Sequence, residues 1–202
     1  MFELFTSPAT PFGRKVAVAL QEMGLAERVK VTLVSGTAVD PGSMPVDKNP
    51  LGKIPALTRP EGGPLYDSRV ICRYLDALAG VGLYPSGRAL WDVLVLEALA
   101  DGMMDAALLV VYEARIRPEA LHYPPWVEGQ WAKVARALDA VEAEWLEHLQ
   151  GGLDMGQIAL GCALGYLDLR LAGRHWRAGR PGLAHWYEGF AQRPSMKATV
   201  PA

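Results

Sequence analysis

Two hydroxyl side chains, Ser7 and Thr10, lie between prolines in the stretch FTSPATPFGRKVAVAL, residues 5–20. Thr10 followed by Pro11 combines a favoured N-cap residue with proline at the first helical position, so a helix is predicted to begin here. A hydroxyl at the amino end of a helix can form a turn, cap the helix or help to hold an anion. Which of these three roles is favoured depends on the helices and strands predicted around the two residues.

Asp67 and Ser68 form a second polar pair at a predicted helix start. The apolar residues that follow them recur at helical spacing: Val70, Ile71, Tyr74, Leu75 and Leu78. Backbone N–H groups and the helix dipole attract a carboxylate at such a position. A plain N-cap is the ordinary interpretation of the pair, and it is compatible with ligand binding.

The first 78 residues predict an α/β arrangement. The predicted elements, in order, are a strand at 2–5, a helix at 12–23 ended by Gly24, a strand at 29–34, a loop or distorted helix at 36–50, a strand–turn–strand hairpin within 53–68, and the helix opened by Asp67 and Ser68. A βαβ unit followed by a hairpin predicts a partly parallel sheet.

The remainder of the chain is predicted to be helical. AGVGLYPSG, residues 79–87, is a linker candidate, so we expect an α/β domain at 1–78 and an all-α domain at 88–202. Helices are predicted at 91–116 and 131–149, after a capping box of Asp154 and Gln157, and from about Pro181 to before Pro194.

The composition limits the partners, the location and the metal content to expect for this protein. Half of the 202 residues are apolar and the formal net charge is -2, which gives no electrostatic reason to expect nucleic acid or a membrane as partner. Cys72 and Cys162 lie in apolar helical patterns and predict buried thiols, so a reducing cytoplasm is the expected location. The four histidines show no metal-ligand spacing, and we expect no metal. Three arginines around a turn predict a solvated surface: Arg174, Arg177 and Arg180.

Four motifs, in this order and spacing, resemble the glutathione S-transferase family of the soluble bacterial type: SPATPFGRKV, NPLGKIPAL, LYDSRVICRYL and LEALADGMMDA. The resemblance covers essentially the whole chain. It implies a thioredoxin-like N-terminal domain, an all-helical C-terminal domain, a homodimer and a role in detoxification.

The resemblance also implies a glutathione site. Pro55 corresponds to a cis-proline that turns the backbone of Ile54 outward, to pair with the cysteinyl unit of the peptide as an added strand. Ser68 is implied to donate to the γ-glutamyl carboxylate, Asp67 to accept from the γ-glutamyl ammonium, and Lys53 to pair with the glycine carboxylate. In similar proteins an acidic residue near Asp101 or Asp105 also reaches the γ-glutamyl amine.

Activation of the glutathione thiol needs only modest stabilisation. With a pKa of ~8.5, about 3% of the thiol is ionised at neutral pH, and lowering the pKa by ~2 units requires roughly 2.7 kcal/mol. A donating hydroxyl supplies ~1.5–3 kcal/mol and a helix N-terminus ~0.3–1 kcal/mol.

Thr10 and Ser7 are the two candidate catalytic hydroxyls. Thr10 is the predicted N-cap, whose oxygen caps the helix while its proton stays available, and alignment on Arg14 and Lys15 favours it. Ser7 lies earlier in the loop, and serine is the more usual residue in the family. No cysteine lies within residues 1–20, which disfavours the members that reduce disulfides through a mixed disulfide.

The sequence therefore predicts a glutathione transferase whose thiolate attacks a small hydrophobic electrophile. The electrophile is expected between the domains, near Phe12, Met103, Tyr112 and Arg115, although methionines in an apolar helix are also ordinary core residues. Two alternatives remain open. One is a glutathione-dependent lyase, isomerase or peroxidase that uses the same thiolate, and the other is a non-catalytic protein-binding module.

Overall fold

The computed structural model describes residues 1–201 and contains one three-stranded sheet followed by helices. The strands are β1 (Phe2–Thr6), β2 (Val29–Leu33) and β3 (Ala56–Thr58). The helices are α1 (Pro11–Glu22), α2 (Ser68–Ala79), α3 (Ala89–Arg115), α4 (Pro124–Ala140), α5 (Leu146–Leu149), α6 (Met155–Arg170), α7 (Pro181–Phe190) and α8 (Pro194–Ala198). A π-helical turn at Val141–Trp145 joins α4 to α5.

The sheet has the mixed topology expected from the sequence. Its order is β2-β1-β3, with β1 parallel to β2 and antiparallel to β3. The parallel pair is joined through α1, as a βαβ crossover requires. The apolar residues of β1 alternate, so that Phe2 and Leu4 are buried. The α/β prediction for this part of the chain is confirmed.

The predicted second strand of the hairpin does not form. Leu65 makes only a single bridge to Leu57, in which the two residues exchange N–H···O bonds of 2.9 and 2.8 Å. Pro64 precedes Leu65 and has no N–H to extend the ladder, and α2 begins three residues after Leu65. The expected strand is therefore reduced to one residue.

Asp76 fixes the segment that follows α2. The helix ends at Gly80, which has a left-handed φ of 67°. The buried Asp76 carboxylate then accepts three backbone N–H bonds, from Gly82 and Leu83 at 2.9 Å each and from Tyr84 at 3.0 Å. One side chain thus determines the path of the chain between α2 and α3.

The helical part is built around α6, which is buried from Met155 to Leu167 and packs against α3. Gly156 lets the two helices approach, since a Cβ at this position would lie 2.9 Å from Leu96 Cβ. The predicted capping box is present: Asp154 accepts from the Gln157 N–H, and the Gln157 side chain accepts from the Asp154 N–H. The predicted helix at 131–149 is instead α4, the π-helical turn and α5.

The chain divides into two compact units. The first contains residues 1–87 and the segment from Pro194 on, and the second is Arg88–Arg193. The sequence predicts one helical domain over residues 88–202. In the structure, the segment from Pro194 on belongs instead to the first unit, because α8 packs on α1. The Arg14 guanidinium donates to the Met196 carbonyl at 3.1 Å, and the Ser195 hydroxyl donates to Glu22. No helix within residues 1–201 is long and apolar enough to cross a membrane.

Candidate functional site

Three segments of the first unit meet at the carboxyl end of β1. The loop 7–10 leaves β1 at this end, and β3, being antiparallel, begins here just after Ile54 and Pro55. The bridge between Leu57 and Leu65 brings the residues after Leu65, including Asp67, to the same end. The N-termini of α1 and α2 therefore lie at one edge of the sheet, which favours an anionic ligand there.

Ser7 and Thr10 belong to one turn at the start of α1. The Thr10 N–H donates to the Ser7 carbonyl at 3.2 Å, and the Thr10 carbonyl accepts from the Arg14 N–H at 3.0 Å. Within the part of the chain that the structure describes, neither hydroxyl makes a side-chain hydrogen bond, and both side chains are half-buried. Each hydroxyl is therefore available to donate to a ligand.

The prediction that the Thr10 hydroxyl caps α1 is wrong. Thr10 occupies the N-cap position, but its hydroxyl makes no cap hydrogen bond. The methyl group explains this, since Thr10 Cγ2 lies 2.5 Å from where a Cβ on Gly13 would stand. The methyl group, and not the hydroxyl, therefore covers the third residue of the helix.

Gly13 and Thr6 were not singled out by sequence reasoning. A Cβ at Gly13 would overlap the Thr6 hydroxyl as well as crowd Thr10. The Thr6 hydroxyl is buried, with no hydrogen-bond partner among residues 1–201. The close approach of Thr6 to α1 has one signal in the sequence, which is the glycine of PFG after Thr10.

The Ile54–Pro55 peptide bond is cis, as the family resemblance implied. Ile54 is half-buried, and within the described residues its backbone N–H and C=O make no hydrogen bond. The buried Asn49 supports this loop, since its side chain donates to the Lys53 carbonyl at 2.8 Å and accepts from the Leu51 N–H at 3.1 Å. Sequence reasoning treated Asn49 as part of a motif and missed this role. The Lys53 side chain is exposed.

Asp67 and Ser68 open α2 as predicted. Asp67 accepts the Arg69 N–H at 3.0 Å, and Ser68 in the first turn is only 2% exposed. The Arg69 guanidinium also binds Asp67, with an Nη2–Oδ2 distance of 2.8 Å. Burial opposes ionisation of Asp67, but the hydrogen bonds and charge of Arg69, with a smaller effect from Lys15, lower the pKa of this carboxyl. Arg69 is thus a neighbour of the candidate site that sequence reasoning missed.

The residues predicted to line an electrophile pocket differ in exposure. Phe12, in α1, and Tyr112, in α3, are half-buried, and Arg115 is exposed. Met103 is 2% exposed, which leaves it almost no surface for a ligand and fits the core interpretation of this methionine. Asp101 is buried and Asp105 is exposed.

The arginine cluster is neutralised rather than simply solvated. Each of its members is bound to a carboxylate: Arg174 to Glu128, Arg177 to Asp168 and Arg180 to Asp139. Cys72 and Cys162 are buried and form no disulfide, as predicted. Within residues 1–201, no group of His, Cys, Asp or Glu side chains is arranged to hold a metal ion.

Comparisons with known proteins agree with this architecture. Residues 9–78 match the family description "Glutathione S-transferase, N-terminal domain", and residues 124–189 match the corresponding C-terminal domain. The uncharacterized GST-like protein YibF of Escherichia coli K12 is 31% identical over 98% of both chains. A glutathione transferase family member from Pseudomonas fluorescens Pf-5, solved with bound glutathione, is 46% identical over the full length of both chains, with a TM-score of 0.97.

A second structure from Pseudomonas fluorescens Pf-5 contains S-(propanoic acid)-glutathione and is also 46% identical over the full length of both chains, with a TM-score of 0.93. The matched domains cover more than half of this chain, and the fold is the thioredoxin-like sheet with a helical C-terminal part that these relatives share. The chain belongs to the glutathione S-transferase family.

Proposed function

We propose that this protein is a glutathione transferase that binds glutathione at the carboxyl end of β1 and activates its thiol as a thiolate. One observation carries the proposal: two helix N-termini and the unpaired backbone of Ile54 lie together at the carboxyl end of β1. The hydroxyls of Ser7 and Thr10 lie beside them and make no side-chain hydrogen bond. The relatives that contain glutathione or its S-substituted derivative support a site of this type.

Each part of glutathione has a partner in the proposed complex. The cysteinyl unit pairs with the N–H and C=O of Ile54, as an added strand would. The γ-glutamyl carboxylate accepts from the Ser68 hydroxyl and the first turn of α2, where the helix dipole favours an anion. The γ-glutamyl ammonium binds the Asp67 carboxylate, which also binds Arg69. The lowered pKa of Asp67 keeps this carboxylate ionised. The exposed Lys53 pairs with the glycine carboxylate.

A hydroxyl at the start of α1 stabilises the thiolate. Because no side-chain hydrogen bond restrains Ser7 or Thr10, either hydroxyl can donate to the sulfur. Thr10 is the better placed of the two, since it precedes the first helical residue and its hydroxyl is turned away from Gly13. The thiolate then attacks an electrophilic carbon, so that a C–S bond forms while the bond between that carbon and its leaving group breaks. The leaving group departs with the electron pair of the broken bond. Phe12, in the first turn of α1, is the residue of the first unit proposed to contact that electrophile.

We also propose that the protein is a homodimer in the cytoplasm, with residues 1–78 as the glutathione-binding domain and 79–87 as the linker. An exposed stripe along α3 supports the dimer. Its residues recur at alternating steps of four and three, which keeps them on one face of the helix: Trp91, Val95, Ala98, Gly102, Asp105 and Leu109. Trp91 is 66% exposed and Val95 is 56% exposed in the single chain. Burial of Trp91, Val95 and Leu109 against a second copy would remove apolar surface from water.

The test is a titration of the ultraviolet thiolate absorbance of glutathione against pH in the presence of the protein. Wild type is expected to lower the thiol pKa from ~8.5 to about 6.5, a shift that corresponds to roughly 2.7 kcal/mol. Thr10→Ala is expected to restore most of the ordinary pKa, and Ser7→Ala to leave the shift in place. Ser86→Ala, at an exposed position in the connection after α2, serves as the control.

The other outcomes are equally informative. If only Ser7→Ala restores the pKa, the catalytic residue is Ser7 and the activation mechanism stands. If glutathione binds with an ordinary thiol pKa, thiolate activation is wrong. If glutathione does not bind at all, a protein-binding module becomes the better description of this chain.

A further inference from the structure

A buried hydroxyl without a partner lies beside the first turn of α1. Thr6 is the last residue of β1 and is only 8% exposed, and its Oγ1 makes no hydrogen bond with any residue between 1 and 201. The backbone of Thr6 is fixed, since its carbonyl accepts the Val34 N–H at 2.9 Å. The strand therefore holds the hydroxyl in place, and a buried hydroxyl without a partner is a cost to the folded state.

The Thr10 methyl group fills the space next to this hydroxyl. Thr6 Oγ1 and Thr10 Cγ2 both lie within 2.5 Å of the point where a Cβ on Gly13 would stand, so the two side chains meet beside Gly13. The Gly13 N–H, at the third position of α1, makes no hydrogen bond within the described part of the chain. Two donors without partners, the Thr6 hydroxyl and the Gly13 N–H, therefore lie near one methyl group.

Rotation of the Thr10 side chain about χ1 exchanges its methyl group and its hydroxyl. The staggered rotamers of threonine are about 120° apart, and one of them puts Oγ1 where Cγ2 stands in the structure. In that rotamer the Thr10 oxygen takes the ordinary N-cap position, where it accepts from the N–H of Gly13. The Thr6 hydroxyl donates to the same oxygen. The space beside Gly13 thus offers two donors to an oxygen, although a methyl group fills it.

A purely structural explanation accounts for only part of this arrangement. The approach of Thr6 Oγ1 to Gly13 permits a weak Cα–H···O contact, which explains why position 13 is a glycine. Such a contact uses the hydroxyl as an acceptor and leaves its proton without a partner. Valine would fill the same volume at position 6 without that cost, and it suits a strand at least as well. A second rotamer of Thr10 that accepts from Thr6 explains the hydroxyl.

We propose that Thr6 is a positioning residue that sets the direction of the Thr10 hydroxyl. In the outward state, which the structure shows, the Thr10 methyl group lies beside Thr6 and the hydroxyl is available to the glutathione sulfur. In the inward state, the Thr10 oxygen accepts from Thr6 and Gly13 and lies away from the sulfur. This inference rests on the proposed function, with Thr10 as the activating hydroxyl, and adds a means of regulating that same site.

The methyl group of Thr10 decides the balance between the two states. When the hydroxyl points outward, the methyl group packs beside Gly13 and keeps that space filled. A serine at position 10 has no methyl group, so its outward state would leave the space empty beside two donors without partners. Its inward state would satisfy both donors and cap the helix. Thr10 therefore holds its hydroxyl toward the sulfur, whereas a serine at this position would turn its hydroxyl toward Thr6.

The test is the absorbance titration of the glutathione thiol, applied to variants at positions 6 and 10. Thr10→Ser is expected to raise the pKa of the bound thiol by about 1 relative to wild type, a change of about tenfold in the ionisation constant, because the serine hydroxyl turns inward. Adding Thr6→Val to Thr10→Ser is expected to reverse about half of this rise, since one of the two inward hydrogen bonds is lost. A merely structural role of Thr6 would produce no such reversal.

Two further variants serve as references. Thr10→Val keeps the methyl group but has no hydroxyl, and it gives the pKa of a bound thiol without its donor. Thr58→Val is the matched control for Thr6→Val, since Thr58 lies in β3 opposite Glu3, toward the other end of β1. Adding Thr58→Val to Thr10→Ser is expected to leave the thiol pKa unchanged.

The outcomes separate the inference from the proposed function. A Thr10→Ser variant with the wild-type thiol pKa or a lower one overturns the inference, and so does a rise that Thr6→Val leaves unchanged or enlarges. In both cases a lowered thiol pKa in wild type leaves the proposed function intact. If only Ser7→Ala restores the ordinary pKa, Thr10 is not the donor, so the inference is wrong while thiolate activation stands. An ordinary thiol pKa in the wild-type complex overturns both.

Discussion

Replacing Asp76 by alanine is expected to release the connection between α2 and α3. The carboxylate accepts three backbone N–H groups, and the substitution removes all three acceptors at once. The N–H groups of Gly82, which is exposed, and Tyr84, which is half-buried, can bond to water instead. The N–H of Leu83 cannot do so as easily, because that residue is only 3% exposed.

The expected loss in the free energy of unfolding follows from this difference in exposure among the three N–H groups. Leaving the Leu83 N–H without a partner costs about 1–3 kcal/mol, and exchanging each of the other two bonds for water costs roughly 0.5–1 kcal/mol. We therefore expect Asp76→Ala to lower the free energy of unfolding by about 2–5 kcal/mol. Asp76→Asn keeps one acceptor oxygen but places an NH2 group against a backbone N–H, and it should lie between wild type and Asp76→Ala.

The measurements are urea unfolding followed by circular dichroism, and hydrogen exchange of the backbone amides. Asp92→Ala, an exposed aspartate on α3, is the matched control. The amides of residues 82–84 are expected to exchange faster in Asp76→Ala, while those in the middle of α2 change less. A variant within about 0.5 kcal/mol of wild type, with unchanged exchange at 82–84, would refute the reasoning.

Three further predictions concern α1, α7 and the start of α2. Gly13→Ala gains about 1 kcal/mol of helix propensity but loses about 1–3 kcal/mol to overpacking, and by displacing Thr10 it should raise the glutathione thiol pKa in the same absorbance titration. Glu142→Ala removes the carboxylate that accepts two N–H groups at the start of α7, so urea unfolding should show a loss of about 1.5–3 kcal/mol. Arg69→Gln should raise the Asp67 pKa toward its ordinary value, as measured by carboxyl carbon NMR. Because the wild-type pKa is lowered, the stabilisation by this pair is present above the ordinary pKa and is lost as the pH falls through the lowered one.

Local sequence signals predicted most of the first unit. Proline after threonine marked the start of α1, and Asp67 with Ser68 marked the start of α2. These signals act over one turn of chain, so their outcome depends little on tertiary context. The hairpin prediction failed at Leu65 for the opposite reason, since a second strand needs partners that Pro64 and the nearby helix start do not allow.

The candidate site was predictable by residue type but not by orientation. The helix-start signals made Ser7 and Thr10 candidates, and the family resemblance added Ile54. The rotation of the Thr10 hydroxyl, however, depends on the close approach of Gly13, which no local pattern encodes.

The return of α8 to the first unit has a consequence for synthesis on the ribosome. Residues 1–87 emerge first, but the acceptor for the buried Arg14 guanidinium is the carbonyl of Met196. The roughly 100 intervening residues take about 5–20 s to translate. During that time the nascent first unit exposes the surface of α1 that α8 later covers. A chaperone that recognises this surface would have its opportunity during translation, before residues 194–198 have been made.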